Sequence, residues 1–412
     1  MINKKENLKK IELLAPAGNF SKLKTALYFG ADAVYAGGKD FSLRNLSDNF
    51  TDEELCEAVS YCHERGKKIY ITLNVFPRER EIDGIVKYLK FLNGIGADGL
   101  IVSDISTISL ARKFARKIPL HISTQANSLN SVAVQEYKKL GASRIIFARE
   151  LSLAEIKQIT AKTDMQYEAF AHGAMCISYS GRCLLSNFLS GRNANSGECV
   201  QACRWEFELR EKGKNADFLP IECDARGTYI LNSKDLNMLK YIDKMTESGI
   251  TSVKIEGRMK TDYYIATVVN AYRRAVDAYY AGEKFAHFEK ELYKCAHRNF
   301  TTAFYLGENN DTVDFQKGGT GSEYEYIAKV LDFDHKNFIA TVEMRNRFYL
   351  TDEPEILSPH ENFNKLLSIK KIVNSKGEEI NDCKIVQERV KLFVDKKLYP
   401  NDLLRKKALF SK

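Results

Sequence analysis

The 412-residue chain is 44% hydrophobic and 28% charged, so it can bury a large core, and its length predicts two domains. No apolar leader opens the sequence, and no apolar run approaches the roughly 20 residues that span a bilayer. We therefore expect neither secretion nor membrane insertion, but a cytoplasmic protein whose nine cysteines remain reduced.

Short apolar runs alternate with helix-type stretches over the first 258 residues. Glycine-led phrases such as residues 30–33 and 141–144 end a helix before the next run begins, and Ser21 and Thr51 are the predicted N-caps of the first two helices. Buried parallel strands linked by helices produce this pattern. We predict an α/β fold, a TIM-type (β/α)8-like barrel over residues 1–283, with an open doubly wound sheet as the alternative. The predicted strands are residues 11–15, 33–37, 68–75, 99–103, 119–124, 144–148, 165–170 and 251–256.

The end of the chain has a different pattern. A helix over residues 262–282 is expected to close the barrel, and residues 284–324 form a predicted connector with a glycine-rich stretch at 317–321. From Glu325 onwards, apolar and polar residues alternate between turn residues. This alternation predicts a small C-terminal β-barrel-like domain over residues 325–412.

Positive charge is concentrated in the last fifty residues. Residues 363–412 contain 13 Lys or Arg against 6 Asp or Glu, which accounts for seven of the eight net positive charges of the chain. A surface of this kind attracts polyanions such as RNA. The alternative is a solvated face that only improves solubility.

Enzymes built on parallel barrels place their reactive side chains just beyond the carboxyl ends of the strands. We therefore expect the active site at this end of the barrel. The long segment between the seventh and eighth strands, residues 172–250, is a predicted cysteine-rich insertion that folds over the opening. Polar residues that follow the predicted strands are Asn74, Asp104, Gln125, Asn127, Arg149, Glu150, His172, Glu256 and Arg258.

Four of the nine cysteines lie within 28 residues, at Cys176, Cys183, Cys199 and Cys203. In a reducing compartment, a metal ion or an iron–sulfur cluster holds such thiolates together because its charge offsets their repulsion. Only Cys199 and Cys203 have the close spacing that is typical of structural zinc. The residues alone leave zinc and an iron–sulfur cluster open, and the nearby Cys223 could replace one of the four ligands.

Other catalytic motifs are missing or misplaced. Residues 94–99 have the glycine spacing of a dinucleotide fingerprint, but they precede a strand instead of opening a helix. The sequence contains no Gly-x-Ser-x-Gly nucleophile elbow and no phosphate-binding loop. It therefore shows no recognisable peptidase apparatus.

One pattern in the cysteine-rich segment resembles the signature of the collagenase-like (U-32) peptidase family. The resemblance extends over nearly the whole chain, because residues 14–18, 199–205, 232–236 and 255–258 also match it. A signature of this length is specific. Its central residues are Glu168, Phe170, Gly173, Ala174, Met175, Cys176, Ser180, Gly181, Arg182, Cys183 and Ser186.

Within that family, the chain is most similar to the branch that modifies tRNA. The resemblance implies hydroxylation of wobble uridine to 5-hydroxyuridine, with a 4Fe-4S cluster, with prephenate as co-substrate, and with tRNA and a small dicarboxylate as partners. Other branches imply alternatives, namely hydroxylation of ribosomal RNA cytidine or action as a heterodimer with a paralogue. A collagenase-like peptidase and a non-catalytic RNA-binding subunit with structural zinc are the remaining alternatives.

The resemblance also implies ligands for the cluster. These are Cys176, Cys183, Cys199 and Cys203, with Cys223 as an alternative fourth ligand. A bound dicarboxylate needs cationic partners, and Arg149, Arg182 and Arg258 are the candidates.

Three residues are candidates for catalysis and two for stacking on the base. Glu168, His172 and Glu256 are the candidate catalytic residues, and His172 has a structural hydrogen-bonding role as its alternative. The target base of an anticodon loop is already unpaired, so an aromatic side chain can stack on it. Tyr179 and Trp205 are the candidates, and a buried aromatic is the alternative for each.

Overall fold

The computed structural model describes residues 10–42, 49–176, 178–192, 199–204, 233–307 and 321–408, together with the backbone of 223–224 and 227–228. The first eleven strands are β1 (Glu12–Pro16), β2 (Ala33–Ala36), β3 (Lys68–Leu73), β4 (Gly99–Val102), β5 (Leu120–Ile122), β6 (Ala142–Ile146), β7 (Gln166–Ala174), β8 (Cys223–Asp224), β9 (Gly227–Thr228), β10 (Asp235–Asn237) and β11 (Ser252–Ile255). Strands β1 to β7 and β11 are parallel neighbours, and β11 pairs with both β1 and β7. The ring is closed, so the predicted barrel is confirmed and the open sheet is wrong.

Helices alternate with the barrel strands on the outside of the ring. Helix α7 is the exception, because it lies in the cysteine-rich segment. The predicted closing helix is confirmed as α9, which ends before Gly282 in the left-handed conformation, with φ 77°. The α-helices of the described residues are α1 (Phe20–Tyr28), α2 (Asp52–His63), α3 (Ile82–Ile95), α4 (Ile105–Phe114), α5 (Ser131–Lys139), α6 (Leu153–Lys162), α7 (Leu185–Ser190), α8 (Ile242–Glu247) and α9 (Asp262–Ala281).

The starts of the first two helices test the predicted N-caps. Thr51 caps α2 as predicted, in a capping box with Glu54. The prediction for Ser21 is wrong, because the side chain of Asn19 accepts the hydrogen bond from the Lys22 amide and α1 begins at Phe20. Asn19 has the extended backbone that a cap requires, whereas the Ser21 hydroxyl donates to Asp262 Oδ2 at 2.5 Å.

The insertion after β7 adds strands to the barrel sheet. Strand β10 pairs antiparallel with the end of β7, and the short strand β12 (Phe300–Thr301) pairs parallel with β10. This extension ties the connector to the barrel beside the place where the cysteine-rich segment begins.

The C-terminal domain is an antiparallel β structure, as predicted. Its strands are β13 (Tyr324–Asp334), β14 (Ile339–Met344), β15 (Phe348–Tyr349), β16 (Glu355–Leu357), β17 (Ile369–Val373), β18 (Glu379–Ile380), β19 (Asp382–Cys383), β20 (Arg389–Val394) and β21 (Leu403–Lys407). Seven of them form one sheet in the order β16-β21-β13-β14-β20-β17-β18, and β15 pairs with β19. Alternate residues of these strands fill a core separate from that of the barrel.

The C-terminal domain packs along the outer face of α9. The rings of Tyr263 and Tyr326 stack with centroids 5.3 Å apart, and Leu357 and Leu403 are buried in the core of the barrel domain rather than in that of the C-terminal domain. The two domains therefore share apolar surface in addition to polar contacts.

None of the helices in the described part of the chain is both long and apolar enough to cross a bilayer.

Candidate functional site at the mouth of the barrel

A cavity of about 170 Å³ opens at the carboxyl ends of the barrel strands, the end at which the sequence predicts the active site. The strands supply one part of its lining and the cysteine-rich segment supplies the other. Residues that line it include Tyr35, Asn74, Thr124, Gln125, Arg149, Phe170, Tyr179, Lys254, Glu256 and Arg258.

The four clustered cysteines all line this cavity. Cys176 is exposed and the other three are half-buried, and none of the four forms a disulfide within the described part of the chain. Cys176, Cys199 and Cys203 also line an adjoining cavity of about 110 Å³. The chain thus brings together four cysteines that are spread over 28 residues, although within the described ranges no group of three or more Cys, His, Asp or Glu side chains is arranged to hold a metal ion.

Specific contacts hold the cysteine-rich segment against the barrel. The side-chain amide of Asn127, in the loop after β5, donates to the Ser180 carbonyl at 2.9 Å. Gly181 has φ +75°, and a Cβ there would lie 2.6 Å from Gln125 Oε1, so only glycine permits this approach without strain. Ser180 and Gly181 are therefore fixed against the strand ends.

Arg149 and Glu256 form a charged pair that lines both cavities. An Arg149 guanidinium nitrogen lies 3.8 Å from Glu256 Oε2, and the guanidinium carbon lies 3.9 Å from the Phe170 ring centroid, a cation–π contact. The Tyr35 hydroxyl donates to Glu256 at 3.4 Å. Two predicted site residues are therefore in contact at the cavity.

Arg258 also lines the larger cavity, as predicted. Only 3% of it is exposed. It donates to Ser42 Oγ at 2.8 Å and to the Asn49 side chain. Both contacts are to neutral side-chain groups, and they hold the guanidinium group beside the cavity.

Lys254 is a cation at the cavity that sequence reasoning did not select. Its ammonium group donates to Glu168 Oε1 at 2.9 Å and lies 4.3 Å from the Tyr35 ring centroid. A lysine inside the apolar strand β11 is the signal that could have identified it, because a buried lysine requires a partner.

Glu168 lies deeper in the barrel, outside the lining of both cavities. It is fully buried and pairs with Lys254 and with Arg144, whose Nη1 lies 3.0 Å from Glu168 Oε2. Arg144 also pairs with Glu12 at 2.6 Å. Burial alone would raise the pKa of Glu12, but the Arg144 guanidinium lowers it below its usual value. These four residues form a buried ion-pair network beneath the cavity floor.

His172 lies behind the cavity wall, not in its lining. Only 2% of it is exposed, and its ring packs against Tyr264, Tyr272 and Phe300 at centroid distances of 6.0, 5.6 and 5.6 Å. Burial lowers the pKa of His172 to about 3, with smaller effects from Asp235, which raises it, and from Lys260, which lowers it. The ring is therefore neutral at physiological pH.

The remaining predicted residues divide into three groups. Tyr179 lines the larger cavity at its rim and is 48% exposed. Arg182 is exposed on the cysteine-rich segment and lines neither cavity. Trp205 and the side chain of Cys223 lie outside the described residues.

Comparison with known proteins assigns both domains. Residues 18–314 match Peptidase family U32, and residues 322–405 match the Peptidase family U32 C-terminal domain. The chain is 42% identical over 405 residues to tRNA hydroxylation protein P1 of Bacillus subtilis, covering 97% of this chain and 95% of that protein.

Two further relatives have different names. The chain is 34% identical over 270 residues to the 23S rRNA 5-hydroxycytidine C2501 synthase of Escherichia coli, covering 65% of this chain and 40% of that protein. It is 28% identical over 422 residues to a protein of Porphyromonas gingivalis named collagenase, covering 97% and 98%. The family match spans most of the chain and the Bacillus relative is similar from end to end, so this protein belongs to peptidase family U32.

Proposed function

We propose that this protein hydroxylates an unpaired pyrimidine of tRNA, converting wobble uridine to 5-hydroxyuridine with prephenate as co-substrate and a 4Fe-4S cluster as cofactor. The observation that carries the proposal is the cavity at the barrel mouth, where four cysteines and three cations, Arg149, Lys254 and Arg258, line one space. The end-to-end similarity to a tRNA hydroxylation protein supports it.

The donor set of the cavity suits an iron–sulfur cluster. Four cysteine thiolates are its usual ligands, and Cys176, Cys183, Cys199 and Cys203 would hold it. Such a cluster supplies electron transfer, which side chains alone do not provide. Of the relatives reported above, two are named for RNA hydroxylation, which is redox chemistry.

The cations of the cavity suit a small acid with two carboxylates. Arg258 and Arg149 both line the cavity, and Arg149 shares the weak 3.8 Å contact with Glu256. Lys254 is already paired with Glu168. We therefore assign the carboxylate contacts of prephenate to Arg258 and Arg149, and a supporting role to Lys254.

Exposed cations on the C-terminal domain suit contact with the RNA backbone. Lys384, Arg389 and Lys391 are exposed, and the last two lie on the same face of β20. Other cations of the last fifty residues are neutralised, since Arg405 is buried against Glu291 and Glu355 and Lys406 pairs with Asp352. The RNA-binding charge is therefore smaller than the sequence count suggests.

A peptidase is the alternative function suggested by the name of the Porphyromonas relative. Peptide hydrolysis requires an activated nucleophile or a catalytic metal. Among the described residues that line the two cavities there is no histidine to act as the base. A peptidase mechanism that uses histidine as its base therefore has no candidate among those lining residues.

The proposal is tested in a bacterial strain that lacks its own wobble-uridine hydroxylation. We expect the wild-type gene to restore 5-hydroxyuridine in the tRNA, measured by mass spectrometry of nucleosides. Cys176→Ala should abolish it and should lower the iron content and the visible absorbance of anaerobically purified protein, because a cluster loses one of its ligands.

Cys56→Ala is the matched control, since Cys56 is an exposed free thiol on α2 that lines neither cavity. It should retain both iron and activity. Unchanged tRNA nucleosides with the wild-type gene, together with cleavage of collagen peptides by the purified protein, would replace the hydroxylase with the peptidase. Bound zinc in place of iron would favour the RNA-binding subunit.

A further inference from the structure

Neutral polar side chains form one wall of the larger cavity. Asn74 follows β3, whereas Thr124 and Gln125 follow β5, and all three line the cavity. We call these three residues the amide wall. The cations Arg149 and Lys254 come instead from the β6 and β11 side of the barrel, so an anion and a neutral polar group would find different surfaces in the same space.

The amide wall has unsatisfied hydrogen-bonding groups. Asn74 Oδ1, Thr124 Oγ1 and Gln125 Oε1 are buried and have no hydrogen-bond partner in the part of the chain that the structure describes. Buried polar atoms in native proteins nearly always have partners. Three such atoms on one cavity wall therefore indicate that a bound molecule supplies the partners.

The hydrogen-bonding groups of the amide wall indicate which kind of molecule it binds. Each carboxamide presents an acceptor and a donor side by side, and a half-turn of the amide exchanges them. An anion would be stabilised more by the cations Arg149 and Lys254 across the cavity than by these neutral amides. The edge of an unpaired uracil, with acceptors at O2 and O4 on either side of the N3–H donor, matches the amides.

The rim of the cavity presents an aromatic side chain to a base bound at the amide wall. Tyr179 lines the rim and is half exposed, so its ring can stack on a base that has left the anticodon loop. Gly181, whose close approach to Gln125 Oε1 fixes the cysteine-rich segment, brings Tyr179 to this position.

We propose that the amide wall binds the Watson–Crick edge of the target uracil, with Asn74 and Gln125 as specificity-determining residues and Thr124 as a supporting hydroxyl. This inference rests on the proposed function, because it takes the RNA substrate as the source of the ligand. It goes beyond that function by assigning base recognition to side chains that belong neither to the thiols nor to the cations.

The test measures base-dependent binding separately from RNA binding. Anticodon stem-loop RNAs that carry either uridine or an abasic site at the wobble position are titrated with the full-length, anaerobically purified protein, and fluorescence anisotropy gives each affinity. We expect the wild type to bind the uridine RNA about 5-fold or more tightly than the abasic RNA, since this is the smallest factor by which a good bidentate amide–base pair discriminates.

The variants Asn74→Leu and Gln125→Leu should each reduce this ratio towards one. Their affinity for the abasic RNA should not change, because phosphate contacts elsewhere are intact. Gln158→Leu, at an exposed glutamine on α6, is the matched control and should keep the wild-type ratio. Thr124→Val, which removes only the hydroxyl, serves as a second route if a leucine variant does not fold.

Two results would overturn the assignment. One is a wild-type protein that does not distinguish uridine from the abasic site, and the other is a set of folded variants that keep the wild-type ratio. The failure of the proposed function is recognised independently, because it appears as missing 5-hydroxyuridine in cells that express the wild-type gene, whatever the binding ratio.

Discussion

Burial decides what single titratable residues can do in this protein. His172 adjoins the cysteine-rich segment in sequence, which made it a candidate for proton transfer, but its ring lies behind the cavity wall among Tyr264, Tyr272 and Phe300. Burial lowers its pKa to about 3, so it does not carry a proton at neutral pH. The structure favours a packing role for this ring, whereas the hydrogen-bonding role stays a prediction because Nδ1 has no hydrogen-bond partner among the described residues.

The depressed pKa of His172 predicts a component of acid sensitivity. The unfolded histidine takes up a proton near pH 6.5, whereas the folded one does so only near pH 3, so stability is lost as the pH falls below about 6.5. This residue should account for about 2 kcal/mol of lost unfolding free energy between pH 7 and pH 5. Urea unfolding of His172→Gln at the two pH values should show a correspondingly smaller loss. An equal loss in the variant and the wild type would contradict the prediction.

Single residues also show where the predicted positions at the barrel mouth agree with the structure, while their roles stay predictions. Arg149, Glu256, Arg258 and Tyr179 line the cavity because residues beyond the ends of parallel strands must meet at one mouth. Lys254 was missed because its partner, Glu168, lies 86 residues earlier, and the spacing within one strand does not reveal pairing across strands. Glu168 was predicted to be catalytic because of its position in the family signature, whereas its buried ion pairs lie below the cavity.

At the scale of elements, the eight barrel strands were predictable because strands buried on both faces form continuous apolar runs. Helix starts were less predictable. Asn19 and Ser21 are both good capping residues, and only the extended backbone of Asn19 decides between them. The path of the cysteine-rich segment was not predictable, because contacts such as that of Asn127 with Ser180 join distant parts of the chain.

The cap of α1 gives a direct test at this scale. Asn19→Ala should lower the free energy of unfolding by about 1 kcal/mol, because the Lys22 amide loses its acceptor. Ser21→Ala is the control and should have a smaller effect, since it removes one exposed hydrogen bond to Asp262. Urea unfolding followed by circular dichroism measures both. If Ser21→Ala lost more unfolding free energy than Asn19→Ala, Ser21 would be the N-cap and the prediction would be contradicted.

At the scale of the whole molecule, a buried charge cluster joins the two domains. Arg405 of β21 has no exposed surface and contacts Glu355 at 2.6 Å and Glu291 at 2.5 Å, while Lys294 contacts Glu355 at 2.8 Å. Glu291 and Lys294 belong to the connector, whereas Arg405 and Glu355 belong to the C-terminal domain. The cluster therefore fixes the position of that domain relative to the barrel.

Removing the central cation of this cluster should uncouple the domains. Arg405→Met leaves Glu291 and Glu355 buried with only Lys294 between them, which should cost about 3–5 kcal/mol. Differential scanning calorimetry should then show the C-terminal domain melting before the barrel. Arg347→Met, which breaks the exposed pair with Asp382, is the control and should leave the profile nearly unchanged. A single unshifted transition in Arg405→Met would contradict the prediction.

The shared apolar surface has a practical consequence for expression of shortened proteins. Leu357 and Leu403 reach across from the C-terminal domain into the core of its neighbour, while that domain also possesses a complete core of its own. A fragment that stops at the connector would expose the apolar surface along α9 that the C-terminal domain covers, and it would tend to aggregate. The opposite fragment would uncover those two leucines, Tyr326, Phe363 and the Arg405–Glu355 pair, but it would keep its own core, so it is the better choice for isolated study.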